Sequence, residues 1–198
     1  MKNRFRGYLP VVVDVETAGL DATKHALLEM CVVMLAQDDA MKWHCGATHS
    51  EHILPFEGAM LDEQSLAFNG IDPYQPLRFA LDEREALQNL FDPIWDELKR
   101  TGCQRAVLVG HNAWFDLSFV NAAAARTKLK SPFHKFTSFD TATLSGVHYG
   151  QTVLAKAMQA AKIPFDANEA HSAIYDAEKT AALFCTILNT WRPSSDEN

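Results

Sequence analysis

The sequence predicts an α/β fold, a mixed five-stranded sheet flanked by helices, on three observations. Three β-rich segments come first, within residues 9–54, and helical and strand segments then alternate to the end. The short run Arg105–Gly110 (RAVLVG) is almost wholly apolar, the pattern of a strand buried on both faces, and it follows a helical segment as in a crossover unit. With 198 residues, 47% of them hydrophobic, there is material for one substantial core, so a single domain is expected over 1–198, with a basic lead at 1–8 and a polar tail at 192–198.

Taken in order, residues 9–16 make the first strand, and 17–21 (TAGLD) break it with turn formers. Residues 26–36 (ALLEMCVVMLA) suit a second strand and 41–54 a third. Alternation is weak in the third, which carries His44, His49 and His52, with His25 upstream. A metal cluster is one reading of these histidines; because no acid or cysteine keeps ligand spacing with them, a solvated surface hairpin is the simpler one. Residues 61–68 read as a short helix closed by Asn69-Gly70, which favour the left-handed conformation, and Asp72-Pro73 turns the chain. Residues 82–100 form a longer amphipathic helix, with Leu87, Leu90, Phe91, Ile94, Trp95 and Leu98 at helical spacing, ended by Gly102. After Arg105–Gly110, residues 111–116 (HNAWFD) lead into an alanine-rich helix reaching Lys128. Residues 136–141 are a fifth strand ending at Asp140, and 152–162 and 172–191 are the closing helices.

Composition narrows the function classes. A net charge of −7 argues against a protein that coats nucleic acid indiscriminately, but not against an enzyme whose acids hold a metal and whose basic residues are local. The four cysteines, Cys31, Cys45, Cys103 and Cys185, form no C-x-x-C pair, and no signal peptide is evident, so they read as reduced thiols of a cytoplasmic protein. No apolar run approaches the roughly 20 residues of a membrane span.

The chemistry begins at Val11-Val12-Val13-Asp14-Val15-Glu16-Thr17. Side chains alternate along a strand, so Asp14 and Glu16 share one face while Val11, Val13 and Val15 share the other. Two neighbouring carboxylates in an apolar strand repel each other and need a cation, for which a divalent metal is economical; the alternative is an edge strand whose acids are solvated. Asp116 follows the buried strand at a helix start, a position equally suited to an N-cap. His171 and Asp176 are five residues apart, about 140° on a helix, and converge only if His171 lies on the loop before it.

Asp14-Val15-Glu16-Thr17, the Asn112 to Asp116 segment and His171-x4-Asp176 resemble the three motifs of the DEDD 3′→5′ exonucleases, in the subgroup (DEDDh, DnaQ-like) that carries a histidine five residues before its last aspartate. Phe68-Asn69-Gly70-Ile71-Asp72-Pro73, Pro132-Phe133-His134, Phe139-Asp140-Thr141 and Ala170-His171-Ser172-Ala173 resemble one RNA-trimming branch of that family.

The resemblance implies an RNase H-like fold and a metal-dependent 3′→5′ exoribonuclease. Such an enzyme trims the 3′ ends of tRNA and other structured RNAs, releases nucleoside 5′-monophosphates and also acts on single-stranded DNA. Asp14, Glu16, Asp116 and Asp176 would hold two Mg²⁺ ions per active site, with Mn²⁺ as a substitute, and His171 would accept the proton of the attacking water. Phe68, Phe115 and Phe136 match positions at which bases stack, although each also reads as a core residue. Leu20 stands where that branch carries a phenylalanine and Gln64 where it carries a glutamate, which leaves the 3′-terminal base preference open. Arg4, Arg6, Lys99, Arg105 and Lys130 resemble a basic patch that grips RNA on one subunit and feeds the acidic site of another, so a homodimer is implied. Two alternatives stand beside this: an oligoribonuclease or polymerase-proofreading type of exonuclease, and a non-catalytic nucleic-acid-binding module.

Overall fold

The computed structural model describes residues 4–166 and 172–191. Strands β1 (Tyr8–Thr17), β2 (Leu27–Gln37) and β3 (Trp43–His52) run antiparallel in succession, and β4 (Arg105–Gly110) and β5 (Phe133–Asp140) join β1 in parallel. The order is β3-β2-β1-β4-β5, the mixed five-stranded sheet that the sequence predicts. β1 is its central strand, so Asp14 and Glu16 do not lie on a solvated edge.

Helices cover both faces. Val11, Val13 and Val15 pack with α2 (Glu83–Thr101) and α3 (Trp114–Thr127), in a core that includes Leu90, Ile94 and Phe119. Val12 faces the other way, against Ala181 and Phe184 of α6 (Ala173–Thr190), and strand alternation puts Asp14 and Glu16 on that same face. Burying each valine contributes about 1.5–3 kcal/mol, and a one-residue slip would drive both carboxylates into the α2–α3 core. The register of β1 is therefore doubly specified.

Local chemistry sets the helix ends. Asp62 caps α1 (Glu63–Asn69) by accepting from Ser65 N–H, and Asp82 caps α2 by accepting from Arg84 and Glu85. Gly102, at φ 65°, closes α2 in the left-handed region. Pro76–Arg78 forms a single 3-10 turn.

The sequence reading omits α4 (Thr141–Tyr149), whose residues TATLSGVHY are poor helix formers. Asp140 makes the helix: its carboxylate accepts from the N–H groups of Ala142 and Thr143. β5 begins at Phe133 rather than 136, because Phe133 pairs with Ala106 ahead of a bulge. β3 is shorter than 41–54, since Met41 takes φ 60° in the preceding turn. The closing helices are trimmed to α5 (Leu154–Ala160) and α6. Among the described residues no helix is long and apolar enough to cross a membrane.

Candidate active site

Three interruptions of regular structure bring the acids together. At the end of β1 the register shifts between Glu16 and Thr17, and Thr17 Oγ1 donates to Gly19 O at 2.8 Å. A Cβ on Gly19 would lie 2.2 Å from the His25 ring, so only glycine allows this turn to close. His25 is thereby accounted for as part of the turn, its Nδ1 3.0 Å from the Asp21 N–H. His52 likewise has a local partner, Glu29, at 2.8 Å.

The second interruption joins β4 to α3. A Cβ on Gly110 would stand 2.9 Å from Asp116 Oδ2 and 3.1 Å from Ala113 Cα, so glycine leaves the space that the Asp116 carboxylate needs. Asn112 turns the chain at φ 66°. Its N–H donates to Asp140 Oδ1 at 2.8 Å, and that of Ala113 to the same oxygen at 3.4 Å. Asp116 is not the N-cap of α3; it is the third helical residue, buried, and its carboxylate accepts from its own N–H and that of Val15. The third interruption is the start of α6, where Asp176 lies in the first turn. His171 lies outside the described residues.

The result is a groove of about 450 Å³ lined by Asp14, Glu16, Asp176, Leu20, Gln64, Phe68 and Phe115 among others. Burial pushes the Asp14 carboxyl well above its usual range, and the charges of Asp116, Glu16 and Asp176 add to it. Burial, with Glu29 and then Asp176 and Asp116, raises Glu16 to about 8. Asp116 rises to about 7, chiefly through burial and despite the two N–H groups aimed at it. Several acids that all resist ionisation in one groove form a site short of positive charge, and an all-oxygen donor set of this kind suits a hard divalent cation. Among the described residues, no three His, Cys, Asp or Glu side chains form a closed ligand cage.

The other expected residues divide between the two ends of the sheet. Phe68 is 70% exposed in the last turn of α1, and Leu20 is 80% exposed; with Gln64 they line the groove. Phe115 serves both core and groove, packing 5.0 Å from Phe119. Phe136 is exposed on β5 outside the groove lining, edge-on to His134. Arg6, Lys99, Arg105 and Lys130 are exposed and gather where β1, β4 and β5 begin and α2 and α3 end. Gln104 N–H donates to Gly7 O at 2.7 Å, and Arg105 Nη1 donates to Ser131 O at 3.1 Å, which ties those chain segments together. Arg4 is at the same end, but its guanidinium donates to Trp191 O at the close of α6. Six residues of extended chain, roughly 20 Å, separate this end of β1 from Asp14.

Two contributors escape sequence reasoning. Asp140 anchors both the β4–α3 turn and α4, although its place at a strand end before Thr-Ala-Thr is a recognisable capping signal. Glu29, directly across from Glu16, has Arg78 3.6 Å away, and Arg78 also donates to Leu28 O at 2.8 Å, a contact between residues distant in sequence that carries no local signal.

Comparison with known proteins follows the same residues. A family model described as Exonuclease (RNase_T) matches residues 11–184. Ribonuclease T of Vibrio campbellii (strain ATCC BAA-1116) is 58% identical over 194 residues, 97% of this chain and 91% of that protein. Ribonuclease T of Marinobacter nauticus is 58% identical over 193 residues, 97% of this chain and 87% of its own. Among solved structures, the nuclease domain of 3′hExo, a DEDDh family member bound to rAMP, superposes with a TM-score of 0.70 at 20% identity, covering 90% of each chain. E. coli Exonuclease I in complex with a dT13 oligonucleotide gives 0.67 at 14% identity, over 91% of this chain and 41% of that one. These two likenesses establish a shared fold.

Proposed function

This chain belongs to the ribonuclease T exonuclease family, and from that premise we propose that it trims the 3′ ends of tRNA and other structured RNAs in the cytoplasm, with single-stranded DNA as a further substrate. It is a 3′→5′ exoribonuclease, and its activity depends on a divalent metal ion. The observation that carries the substrate reading is the groove itself, which Asp14, Glu16 and Asp176 line together with the exposed Phe68 and Leu20. A base held on those two side chains brings the terminal phosphodiester to the acids.

In this reading Asp14, Glu16, Asp116 and Asp176 hold two Mg²⁺ ions, for which Mn²⁺ can substitute. When bound, the ions would supply positive charge against the phosphate and make water more acidic. His171 takes a proton from the attacking water. The water oxygen bonds to phosphorus as the bond to the 3′ oxygen of the preceding nucleotide breaks; that oxygen ends protonated, and a nucleoside 5′-monophosphate leaves. Phe68, Phe115 and Phe136 stack on bases, each stack worth about 1–3 kcal/mol, while Leu20 packs on a base and Gln64 hydrogen-bonds to one.

Arg6, Lys99, Arg105 and Lys130, joined by Arg4, grip the RNA backbone. Because this basic end lies at the opposite end of β1 from the acids, one subunit's patch serves the groove of another, and the active form is a homodimer. Retention of every motif acid disfavours the non-catalytic binding module, and 58% identity to ribonuclease T disfavours the oligoribonuclease and proofreading types. The test is digestion of 5′-labelled RNAs that differ only in 3′ overhang and terminal base, with and without Mg²⁺. Stepwise shortening from the 3′ end in Mg²⁺ alone is expected; internal cleavage, or undiminished cleavage in EDTA, would refute the proposal.

A further inference from the structure

Trp114 is the first residue of α3 and, at 68% exposure, presents most of an indole to solvent. A solitary exposed aromatic residue is ordinary, but this one ends a continuous aromatic series. Phe119 is fully buried, Phe115 packs on it at 5.0 Å and lines the groove, and Trp114 meets Phe115 edge-on at 5.8 Å and 85°. The turn that positions Asp116 positions Trp114 as well. Two residues apart on a helix, the side chains are about 200° apart, so one turns in to the acids and the other out. The indole is held on the same rigid base, between the buried Ala113 and the half-buried Phe115.

We propose that Trp114 is a base-stacking subsite outside the groove, taking a base of the single-stranded 3′ segment upstream of the terminal nucleotide. The terminal nucleotide occupies the groove between Phe68 and the acids, so the strand that follows it must leave over the rim, and Trp114 extends the aromatic surface there from Phe115. Any base has a π face, so the subsite recognises unpaired strand rather than sequence. It also adds a ring beside a groove in which Leu20 offers none.

The proposal rests on the exonuclease reading, and the experiment separates the two. Hairpin RNAs with a one-nucleotide and a four-nucleotide 3′ overhang are digested by the wild-type protein, Trp114→Ala and Trp114→Phe, and KM and kcat are measured for each. Trp114→Ala should raise KM on the longer overhang by about 5- to 150-fold, the range that one stacked base supplies, with kcat little changed and the shorter overhang unaffected. Trp114→Phe should restore most of the loss. In EDTA, adding the longer-overhang RNA should quench tryptophan emission more in the wild type than in Trp114→Phe. Equal kinetics and equal quenching for all three proteins would overturn the subsite, as would an equal loss on both overhangs, which marks a structural role. If Trp114→Ala changes only self-association in sedimentation, the ring belongs to a contact between copies and the subsite is again refuted. A wild-type protein that degrades neither hairpin would overturn the exonuclease reading and this one with it.

Discussion

Replacing Asp14 with asparagine should abolish cleavage and also make the metal-free protein more stable, because the carboxylate that the reaction needs is one that the fold tolerates poorly. In the folded chain the groove acids hold their protons more tightly than in the unfolded chain, so stability is greatest below their ordinary range and declines as pH rises toward the folded values. For Glu16, which moves from 4.5 to about 8, the decline at 1.36 kcal/mol per pH unit amounts to about 5 kcal/mol as an upper figure. Asp14 is raised well above its ordinary value by burial and then by three acidic neighbours, so its ionisation works against the fold in the same direction. Asp14→Asn removes that charge, so the variant should melt above the wild type in EDTA at pH 8, where 1 kcal/mol corresponds to about 2–4 °C for a chain of this size. Near pH 5 the gain should shrink, since the folded wild type then holds these protons at little cost. The assay is thermal unfolding in EDTA at both pH values, repeated with Mg²⁺, alongside digestion of labelled RNA. Mg²⁺ should raise the wild-type melting temperature more than that of the variant. An Asp14→Asn protein that melts no higher than wild type in EDTA at pH 8, or that still cleaves RNA, would refute this account of the groove.

Other outcomes are expected at neighbouring positions. His171→Ala should slow hydrolysis by about 10²–10⁴-fold in single-turnover measurements, and an unchanged rate would remove its role as base. Asp140→Ala strips the cap from α4 and leaves the Asn112 N–H without its acceptor. It should cost about 2–3 kcal/mol in denaturant unfolding and lower kcat by displacing Asp116. Arg105→Ala with Lys130→Ala should weaken RNA binding evenly across sequences and flatten the dependence of log K on log salt by about 0.7 per lost phosphate contact; an unaltered slope would place the RNA elsewhere.

Much of this protein can be read from local patterns, because the physics behind them is local. Alternation in β1 separates Asp14 and Glu16 from Val11, Val13 and Val15, and the structure keeps that division. Caps at Asp62 and Asp82 and the left-handed Gly70 and Gly102 mark helix ends within a residue or two. α4 was not legible, since its propensities oppose a helix and a single carboxylate decides the matter. The histidines of the third strand look alike in sequence, yet His52 pairs with Glu29 while the His44 ring lies 3.0 Å from the carbonyl of Cys45.

What the sequence determined by itself is the class of fold, the succession of the five strands and the placing of Asp14 and Glu16 on one strand face, all of which follow from periodicity within single segments. Only the tertiary structure decided that β1 is central, that Glu29 faces Glu16, and that Gly110 makes room for the Asp116 carboxylate. It also decided that the acids lie at one end of the sheet and the basic residues at the other. Some of these meetings are close in sequence, Gly110 with Asp116 and Glu16 with Glu29, yet depend on how the chain turns, while β1 meets β4 across almost a hundred positions, as Tyr8 with Arg105. Turn geometry and packing set them, and neither is written in a local pattern of residue types.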